Sequence, residues 1–339
     1  MRATAGILAV VVVLTVGTTA GCADGGGPPS GVPRPKVTTS ALAPGFADFN
    51  GDGVRDTVKG HPDATVEDAQ EAGTVTVTYG SSSKKTDKDS NNGSGSGRRQ
   101  QWTLWEGHNG LPEQAEPDDR FGAGILTGDL DGDGCTDLVV NAPGESWDRQ
   151  RGAGRSMILW GSRHGLRGGT LMDRGSAAAY NGFAFMAIGD FNADGHPDLV
   201  SPAVAGESAG SHPRIYDRVL YGPFERSGRA AGSSHFGPRI SDTAWLDTPV
   251  AGDFNDDGAD DLVAILNYDN EQKRLIMFNG SRTQGLSGSG TDPSGPGYPE
   301  SLTTSDLDDD GHPDVVVTIE GDGHQVLYGQ RGGLSSHKP

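Results

Sequence analysis

Cysteine is nearly absent from this chain of 339 residues, and aromatic residues make up only 6% of it. Two cysteines are too few for the disulfide frameworks that hold small secreted folds together. No long segment keeps an apolar period of 3.6 residues, which argues against a helical bundle and against a doubly wound sheet. The nine histidines form no pair at i, i+4 and no H-E-x-x-H motif, so the zinc-protease pattern is missing.

Positive charge is scarce as well, with 27 Lys and Arg against 46 Asp and Glu and a formal net charge of −19. So acidic a chain would repel phosphate groups, and we expect no nucleic-acid partner. Glycine and proline, by contrast, are plentiful, at 54 and 20 residues. Their spread through the whole length predicts an all-β fold of many short strands joined by turns.

Five nine-residue acidic segments are the main feature of the sequence, and we name them loops 1 to 5. They begin at Asp48, Asp129, Asp190, Asp253 and Asp306. Each has Asp at position 1, Asp or Asn at position 3, Asp at position 5, Gly at position 6 and Asp at position 9. Oxygen ligands that alternate around a glycine turn suit Ca²⁺, which takes six to eight oxygens. The predicted ligands of about five structural Ca²⁺ ions are Asp48, Asn50, Asp52, Asp56, Asp129, Asp131, Asp133, Asp137, Asp190, Asn192, Asp194, Asp198, Asp253, Asn255, Asp257, Asp261, Asp306, Asp308, Asp310 and Asp314.

An EF-hand also opens with this pattern, but it requires a Glu at position 12 and a helix on each side. Position 12 is occupied by other residue types, namely Lys59, Val140, Ser201, Ala264 and Val317. In loops 2 to 5, position 9 leads directly into a short apolar run rich in Val, which predicts a strand. The loops are therefore predicted to be turns between strands, with the Asp at position 9 as the closing ligand.

Most of the excess negative charge can be explained by these loops. Seventeen of the 46 acidic residues occupy predicted ligand positions. Five bound Ca²⁺ ions would return ten positive charges, which is roughly half of the excess. The alternative is a set of five acidic turns that bind nothing, but solvated turns rarely need Asp at every odd position.

The N-terminal residues resemble a processing signal. An apolar run from Ala5 to Val16 is too short to span a bilayer, and we assign residues 1–21 to a signal peptide. The run ends in Thr-Ala-Gly-Cys, which resembles the lipobox of bacterial lipoproteins and implies a lipid on Cys22. Thr19 stands where that motif usually has Leu, so a plain secretory cleavage is the alternative. Both predict a protein outside the cytosol, and a lipid on Cys22 would also leave Cys135 without a partner.

The domain organisation follows from the spacing of the loops. Their starts are 81, 61, 63 and 53 residues apart, and a period near sixty predicts a β-propeller with one four-stranded blade per repeat. We assign residues 22–43 to a lipid-anchored Gly/Pro-rich tether, residues 44–334 to the propeller and residues 335–339 to a tail. A low-complexity insert, residues 81–99, explains the longest spacing. We expect five blades, with residues 36–42 as the strand that closes the ring.

Further motifs repeat around the loops. Phe121-Gly122, the Gly-Asp pairs at Gly128, Gly189 and Gly252, and Ala142-Pro143-Gly144 occupy corresponding places. In these motifs the chain resembles the FG-GAP repeats of integrin α-subunit propellers and of secreted bacterial proteins. The resemblance implies calcium ligation by loop positions 1, 3, 5 and 9. It implies nothing specific about function.

No catalytic constellation stands out. A G-x-S-x-G pattern occurs at residues 206–210, but no helix signal follows it, and we interpret it as a structural loop. We therefore expect no enzyme but an extracellular binding, adhesion or scaffolding module, whose partner is a protein or a glycan, with the membrane reached through the N-terminal lipid. One alternative is a lectin that stacks sugars on exposed members of the set Trp102, Trp105, Trp147, Trp160 and Trp245. The others are an integrin-like adhesin and a calcium-dependent polysaccharide lyase or hydrolase.

Overall fold

Strands and turns make up the protein in the computed structural model. It describes residues 47–80, 100–146, 152, 154–172, 187–205, 214–236, 244–268, 272–286, 288, 290–293, 298–321 and 323–338. Within these ranges there are seventeen strands and no helix, so none of this part of the chain forms an apolar helix that could cross a membrane. The signal segment, the tether with its predicted closing strand and the insert all lie outside the described residues.

The strands form five antiparallel sheets, in each of which consecutive strands pair as a meander. Sheet 1 contains β1 (Thr57–His61), β2 (Thr74–Thr78) and β3 (Gln101–Leu104). Sheet 2 contains β4 (Gly124–Gly128), β5 (Asp137–Ala142), β6 (Arg155–Leu159) and β7 (Gly169–Leu171). Sheet 3 contains β8 (Ala187–Gly189), β9 (Asp198–Ala205), β10 (Arg214–Tyr221) and β11 (Gly232–His235). Sheet 4 contains β12 (Ala244–Gly252), β13 (Asp261–Tyr268) and β14 (Lys273–Phe278), and sheet 5 contains β15 (Pro299–Ser305), β16 (Asp314–Ile319) and β17 (Gly323–Leu327).

Each acidic loop is a turn between two strands, as the sequence predicted. Loops 2 to 5 join the first and second strands of sheets 2 to 5, and loop 1 is closed by a bridge between Ala47 and Asp56. In sheet 5, Ser335 pairs with Tyr328 at the place where β7 begins to pair with β6 in sheet 2. The chain's own C-terminal segment thus enters the position of a fourth strand there. The closing of the ring and the number of blades stay predictions.

The core lies between neighbouring sheets. Four buried clusters join sheets 1 and 2, 2 and 3, 3 and 4, and 4 and 5. The position of strand β5 explains its continuous apolar run, because Leu138 and Val140 face sheet 1, whereas Val139 faces sheet 3. Side chains point alternately to the two faces of a strand, so a strand that is buried on both faces needs apolar residues at successive positions.

The residue at loop position 2 ties each sheet to the next one. Phe49, Leu130, Phe191 and Phe254 are fully buried in the four clusters between sheets. Their carbonyls accept N–H groups from the following sheet at 2.8–3.2 Å, with Ser162, Phe224, Ser281 and Gln330 as the donors. Leu307, at the same position of loop 5, is 50% exposed, because among the described residues no further sheet packs beside sheet 5. All five loops therefore lie at one end of the row of sheets.

Candidate metal centres

Backbone hydrogen bonds fold each loop around the carboxylate at position 1. In loop 3, the N–H groups of Asp194 and Gly195 donate to Oδ1 and Oδ2 of Asp190, both at 2.9 Å. The bond from the glycine at position 6 occurs in all five loops, at 2.9–3.0 Å. These glycines have φ between 76° and 92°, a region that L side chains resist. The turn therefore requires glycine for its backbone angle, and it points the carboxylates inwards.

Position 5 completes the turn. Its Oδ1 accepts the N–H of position 7 in all five loops, at 2.8–2.9 Å. Position 7 therefore contributes its backbone, which explains why residue types as different as Val54, Cys135 and His196 occur there. The turn around positions 1 to 7 is thus formed by bonds within the loop itself.

The Asp at position 9 joins the loop to the sheet. It is fully buried in all five repeats. Its Oδ1 accepts the N–H of a glycine at the end of the third strand, at 2.8–3.0 Å, with Gly80, Gly161, Gly222, Gly280 and Gly329 as the donors. In loops 1, 2, 3 and 5 its Oδ2 accepts the N–H of position 2 at 2.8–2.9 Å. An alanine at position 9 would therefore leave buried N–H groups unpaired.

Burial, followed by the neighbouring carboxylates of the same loop, raises the pKa of these groups. The pKa is about 8 for Asp198 and Asp261 and about 6 for Asp56. The pKa of Asp137 lies well above its ordinary value for the same reasons. Without a cation, the loops therefore hold acids that resist ionisation near neutral pH.

A hard cation fits this arrangement. In loops 2 and 5, one oxygen from each of positions 1, 3 and 9 lies within 4.8 Å of the others. Three buried carboxylate oxygens in the loops have no hydrogen-bond partner in the described part of the chain: Oδ1 of Asp129, Oδ2 of Asp261 and Oδ1 of Asp308. The donors are oxygens only, which suits Ca²⁺, Mg²⁺ or Mn²⁺ rather than a thiolate-loving metal. In loops 1 and 3 the Asn amide at position 3 donates to the Asp at position 5, at 3.2 and 2.9 Å, and in loop 4 it donates to the Asp at position 9, at 3.2 Å. The structure thus brings all twenty predicted ligands into five such loops, and their ligand role stays a prediction.

Loop 2 has a feature that the sequence did not reveal. Arg226, in the turn between β10 and β11 of the next sheet, donates to Oδ2 of Asp131 and to Oδ2 of Asp133, both at 2.7 Å. Its guanidinium also lies 5.6 Å from the ring centre of Trp160. About 95 residues separate the partners along the chain, so no local pattern could have indicated the contact. Arg226 places a positive charge where loop 2 concentrates negative charge.

Replacement of Arg226 by Met should destabilise the protein in chelator more than in calcium. In the absence of a cation, the guanidinium is the charge that offsets Asp131 and Asp133, and charged hydrogen bonds of this kind are each worth about 1.5–3 kcal/mol. A bound ion would take over part of that role. Urea unfolding of both proteins, with and without calcium, measures the difference. Arg229→Met, which removes an exposed ion pair of the same turn, is the control, and equal losses in the two media would contradict the prediction.

Position 8 couples neighbouring loops. The N–H of Asp190 donates to Oδ2 of Asp260 at 2.7 Å, and the N–H of Asp260 donates to the carbonyl of Asp190 at 3.0 Å. Thr136 makes the same pair of bonds with Asp48, both at 3.0 Å. Asp260 is 4% exposed, and its pKa lies well above the ordinary range, because of burial first and of Asp190 second. Sequence inspection passed over position 8 because its residue type varies.

Asp260→Thr should raise the free energy of unfolding at pH 7 by about 1 kcal/mol, because the hydroxyl keeps the bond to Asp190 without a buried acid. An acid with a raised folded pKa contributes stability that is complete below its unfolded pKa, near 4, and is lost as the pH rises. The advantage of Thr should therefore grow from pH 5 to pH 8. Asp260→Ala is the control and should cost about 1–3 kcal/mol, because it leaves a buried N–H unpaired. A Thr variant whose advantage shrinks with rising pH would contradict this account.

Cys135 lies at position 7 of loop 2. It is fully buried and is disulfide-bonded. The sequence has one other cysteine, Cys22, which lies outside the described residues. The lipid on Cys22 stays a prediction.

Comparison with known proteins agrees with this architecture of repeated antiparallel sheets with acidic loops. Residues 121–159 match the model of the FG-GAP repeat, and residues 224–317 match that of an FG-GAP-like repeat. The chain is a protein with FG-GAP repeats, which confirms the interpretation of its motifs.

Named relatives match only part of the chain. Phosphatidylinositol-glycan-specific phospholipase D of Bos taurus is 34% identical over 160 residues, which are 43% of this chain and 18% of the relative. The Homo sapiens protein is 33% identical over 160 residues, and the Rattus norvegicus protein is 34% identical over 157 residues. Each of these matches covers 42% of this chain and 18% of the relative. The chain spans less than a fifth of the length of these relatives. The phospholipase activity in their name is therefore a property of those proteins.

Proposed function

We propose that the protein is exported, binds structural calcium in its five loops and serves as an extracellular binding or scaffolding module. The observation that supports calcium is the convergence of acidic side chains with unpartnered buried oxygens, as at Asp129 and Asp308. Calcium would hold the carboxylates of each loop together and so fix the loop end of the sheets. The ion supplies charge compensation, and the chain's own backbone bonds supply the shape.

The way in which the acidic groups are used supports a binding role rather than catalysis. At the loop end, the carboxylates are engaged by backbone N–H groups, as at Asp137 and Asp198, which suits a structural role. Specificity would then come from side chains outside the loops, which vary between the repeats. We propose no phospholipase activity for this chain. Release of a phosphatidylinositol-glycan-anchored protein from vesicles by the purified chain in calcium would contradict that proposal.

A glycan ligand is the second candidate, because a groove lies beside loop 1. Its volume is about 280 Å³, and its lining combines the aromatic rings of Tyr79 and Trp102 with the cationic side chains of Arg163 and Arg167. An aromatic ring beside guanidinium groups suits an acidic sugar, which stacks and pairs at once. Trp102 packs partly against the core, and Trp105 stacks on His108 at 3.8 Å. The side chains of Trp147 and Trp245 lie outside the described residues.

An array of neutral and acidic glycans, probed with the mature protein in calcium and in chelator, tests the two candidates. Binding of an acidic glycan that is lost in Trp102→Phe and kept in Trp105→Phe would support the groove. Binding to no glycan by a protein that is folded in calcium would overturn the glycan proposal. Cross-linking on intact cells would then test whether a protein is the ligand.

Export is the remaining part of the proposal, and whether the exported protein is anchored to a membrane depends on the sulfur of Cys22. Residues 1–21, which lie outside the described residues, have the composition of a signal peptide. We expect a lipid on Cys22, which would hold the mature protein on the membrane. A lipid-sized mass increment on a membrane-bound protein would support that lipid. Recovery from the medium of a protein without that increment would instead indicate plain secretory cleavage.

A further inference from the structure

A second group of acids lies at the opposite end of the sheets from the five loops. Glu106 follows β3, Asp119 precedes β4, and Glu145 follows the end of β5. Strand β5 begins at loop 2 and ends at Ala142, so Glu145 is separated from loop 2 by the length of a strand. The three side chains therefore belong to connections that meet at the far end of sheets 1 and 2.

Backbone contacts hold these connections together. The N–H of Gly144 donates to the carbonyl of Asp119 at 3.0 Å. A Cβ at Gly144 would lie 1.7 Å from the carbonyl oxygen of Asp118, so the close approach requires glycine. The N–H of Glu116 donates to Oδ2 of Asp119 at 2.6 Å and so fixes the direction of that carboxylate.

The three carboxylates are buried and under-satisfied. Glu106, Asp119 and Glu145 are 3%, 1% and 4% exposed, and one oxygen of each lies within 4.8 Å of the others. Oε2 of Glu106 and Oε2 of Glu145 are buried and have no hydrogen-bond partner among the residues that the structure describes. The nearby cation, Arg155, donates to Glu113 at 2.6 Å. Burial of a carboxylate without a hydrogen-bond partner costs free energy, so we expect a group small enough to fit between these side chains to pair with their oxygens.

Burial is the main cause of the raised pKa values in this cluster. It raises the pKa of Glu106 to about 9, that of Glu145 to about 7 and that of Asp119 to about 6. Repulsion within the cluster adds to the shifts of Glu106 and Glu145, whereas the charges that raise the pKa of Asp119 are those of Glu116, Asp118 and Glu113. Arg155 lowers the pKa of Glu106 and of Glu145 only in part, so an added positive charge would favour the ionised form of all three groups near neutral pH.

We propose that Glu106, Asp119 and Glu145 form a sixth cation site, distinct from the five loops, for a divalent cation that prefers oxygen ligands. Ca²⁺ binds oxygen at about 2.3–2.6 Å and Mg²⁺ at about 2.0–2.1 Å, so the ligand oxygens around either ion lie within about 5 Å of one another. The observed separations meet that condition. Two unpartnered glutamate oxygens then supply ligands, and Asp119 supplies a third. The site would link sheet 1 to sheet 2 at the end of the sheets that lies opposite the five loops.

Metal stoichiometry on the whole mature chain tests the proposal. The double variant Glu106→Gln and Glu145→Gln keeps the size of both side chains and removes their charge, so the fold should persist. Equilibrium dialysis against Ca²⁺ alone, and then against Mn²⁺ alone, should show one ion fewer for the variant than for the wild type. Glu116→Gln, an exposed acid of the same connection, is the control and should keep the full number. Equal numbers in the wild type and the double variant would overturn the proposal.

Crystals of the wild-type protein soaked in Mn²⁺ keep the test independent of whether the variant folds. An anomalous peak between the three carboxylates is the expected result, and loops filled with Mn²⁺ beside an empty cluster would overturn it. Failure of the calcium proposal for the loops would be seen separately, as empty loops in the same map. The experiment therefore tests the proposal for the acidic cluster and the proposal for the loops independently.

Discussion

Removal of calcium should lower the melting temperature of the protein more than any single loop substitution does. A ligand at 100 times its Kd stabilises the folded state by about 2.7 kcal/mol per site, so five loops together contribute about 13 kcal/mol. That sum is comparable to the whole stability of an ordinary domain. For a chain of this size, about 10 kcal/mol corresponds to roughly 20 °C or more. The expected result is a loss of tens of degrees in excess chelator.

Thermal unfolding in millimolar calcium, in chelator and after addition of calcium back to the chelated sample measures this effect. Magnesium serves as a control for ionic strength, because it has the same charge but requires a smaller, octahedral shell. A melting temperature that chelator leaves unchanged would rule out structural calcium.

The pH dependence of the chelated protein has a definite sign. The raised folded pKa values of Asp129, about 7, and of Asp198 and Asp261, about 8, mean that the folded state holds protons which the unfolded state has lost. Stability is then complete below the unfolded pKa, near 4, and is lost as the pH rises towards 8. The stabilisation by calcium should therefore be larger at pH 8 than at pH 5.

Asp137→Ala should be the most damaging single substitution in loop 2. Its two carboxylate oxygens accept the N–H groups of Gly161 and Leu130, both at 2.8 Å, in a fully buried position. An unpaired buried N–H costs about 1–3 kcal/mol, so the variant should lose about 4 kcal/mol even in chelator. Urea unfolding in chelator measures this loss apart from the loss of a bound ion.

Asp133→Ala is the matched comparison. Asp133 accepts one backbone N–H, from Cys135, and one N–H of Arg226, and it lies less deep. The variant should weaken one calcium site and spare the other four. When both variants are made in the Arg226→Met background, it should also cost less in chelator than Asp137→Ala does. Calorimetric titration with calcium counts the remaining sites. An equal cost for the two variants in chelator would show that position 9 acts only as a ligand and not as a link to the sheet.

Local physical chemistry made the loops and the strands readable from the sequence. The alternation of Asp and Asn around a glycine is a constraint within nine residues, and the bonds that hold Asp190 to Gly195 or Asp194 to His196 are equally local. The apolar runs after position 9 predicted strands correctly, because a strand that is buried on both faces has apolar residues at successive positions rather than at every second one. The period near sixty then predicted one sheet per repeat. These parts of the fold needed no knowledge of which sheets meet.

Contacts between distant residues were decided by the tertiary structure alone. Arg226 reaches loop 2 across 95 residues, and Asp260 pairs with Asp190 across 70. No sequence pattern indicated a role for Glu145, and only the meeting of three connections shows its buried carboxylate beside Glu106 and Asp119. Leu307 occupies the same loop position as four buried residues and is nevertheless half exposed. The sequence by itself thus determined the repeat, its loops and its strands, because short-range hydrogen bonds and the alternation of side chains specify them. How the repeats join was decided by the packing between sheets, because that packing depends on shapes and charges that no nine-residue pattern contains.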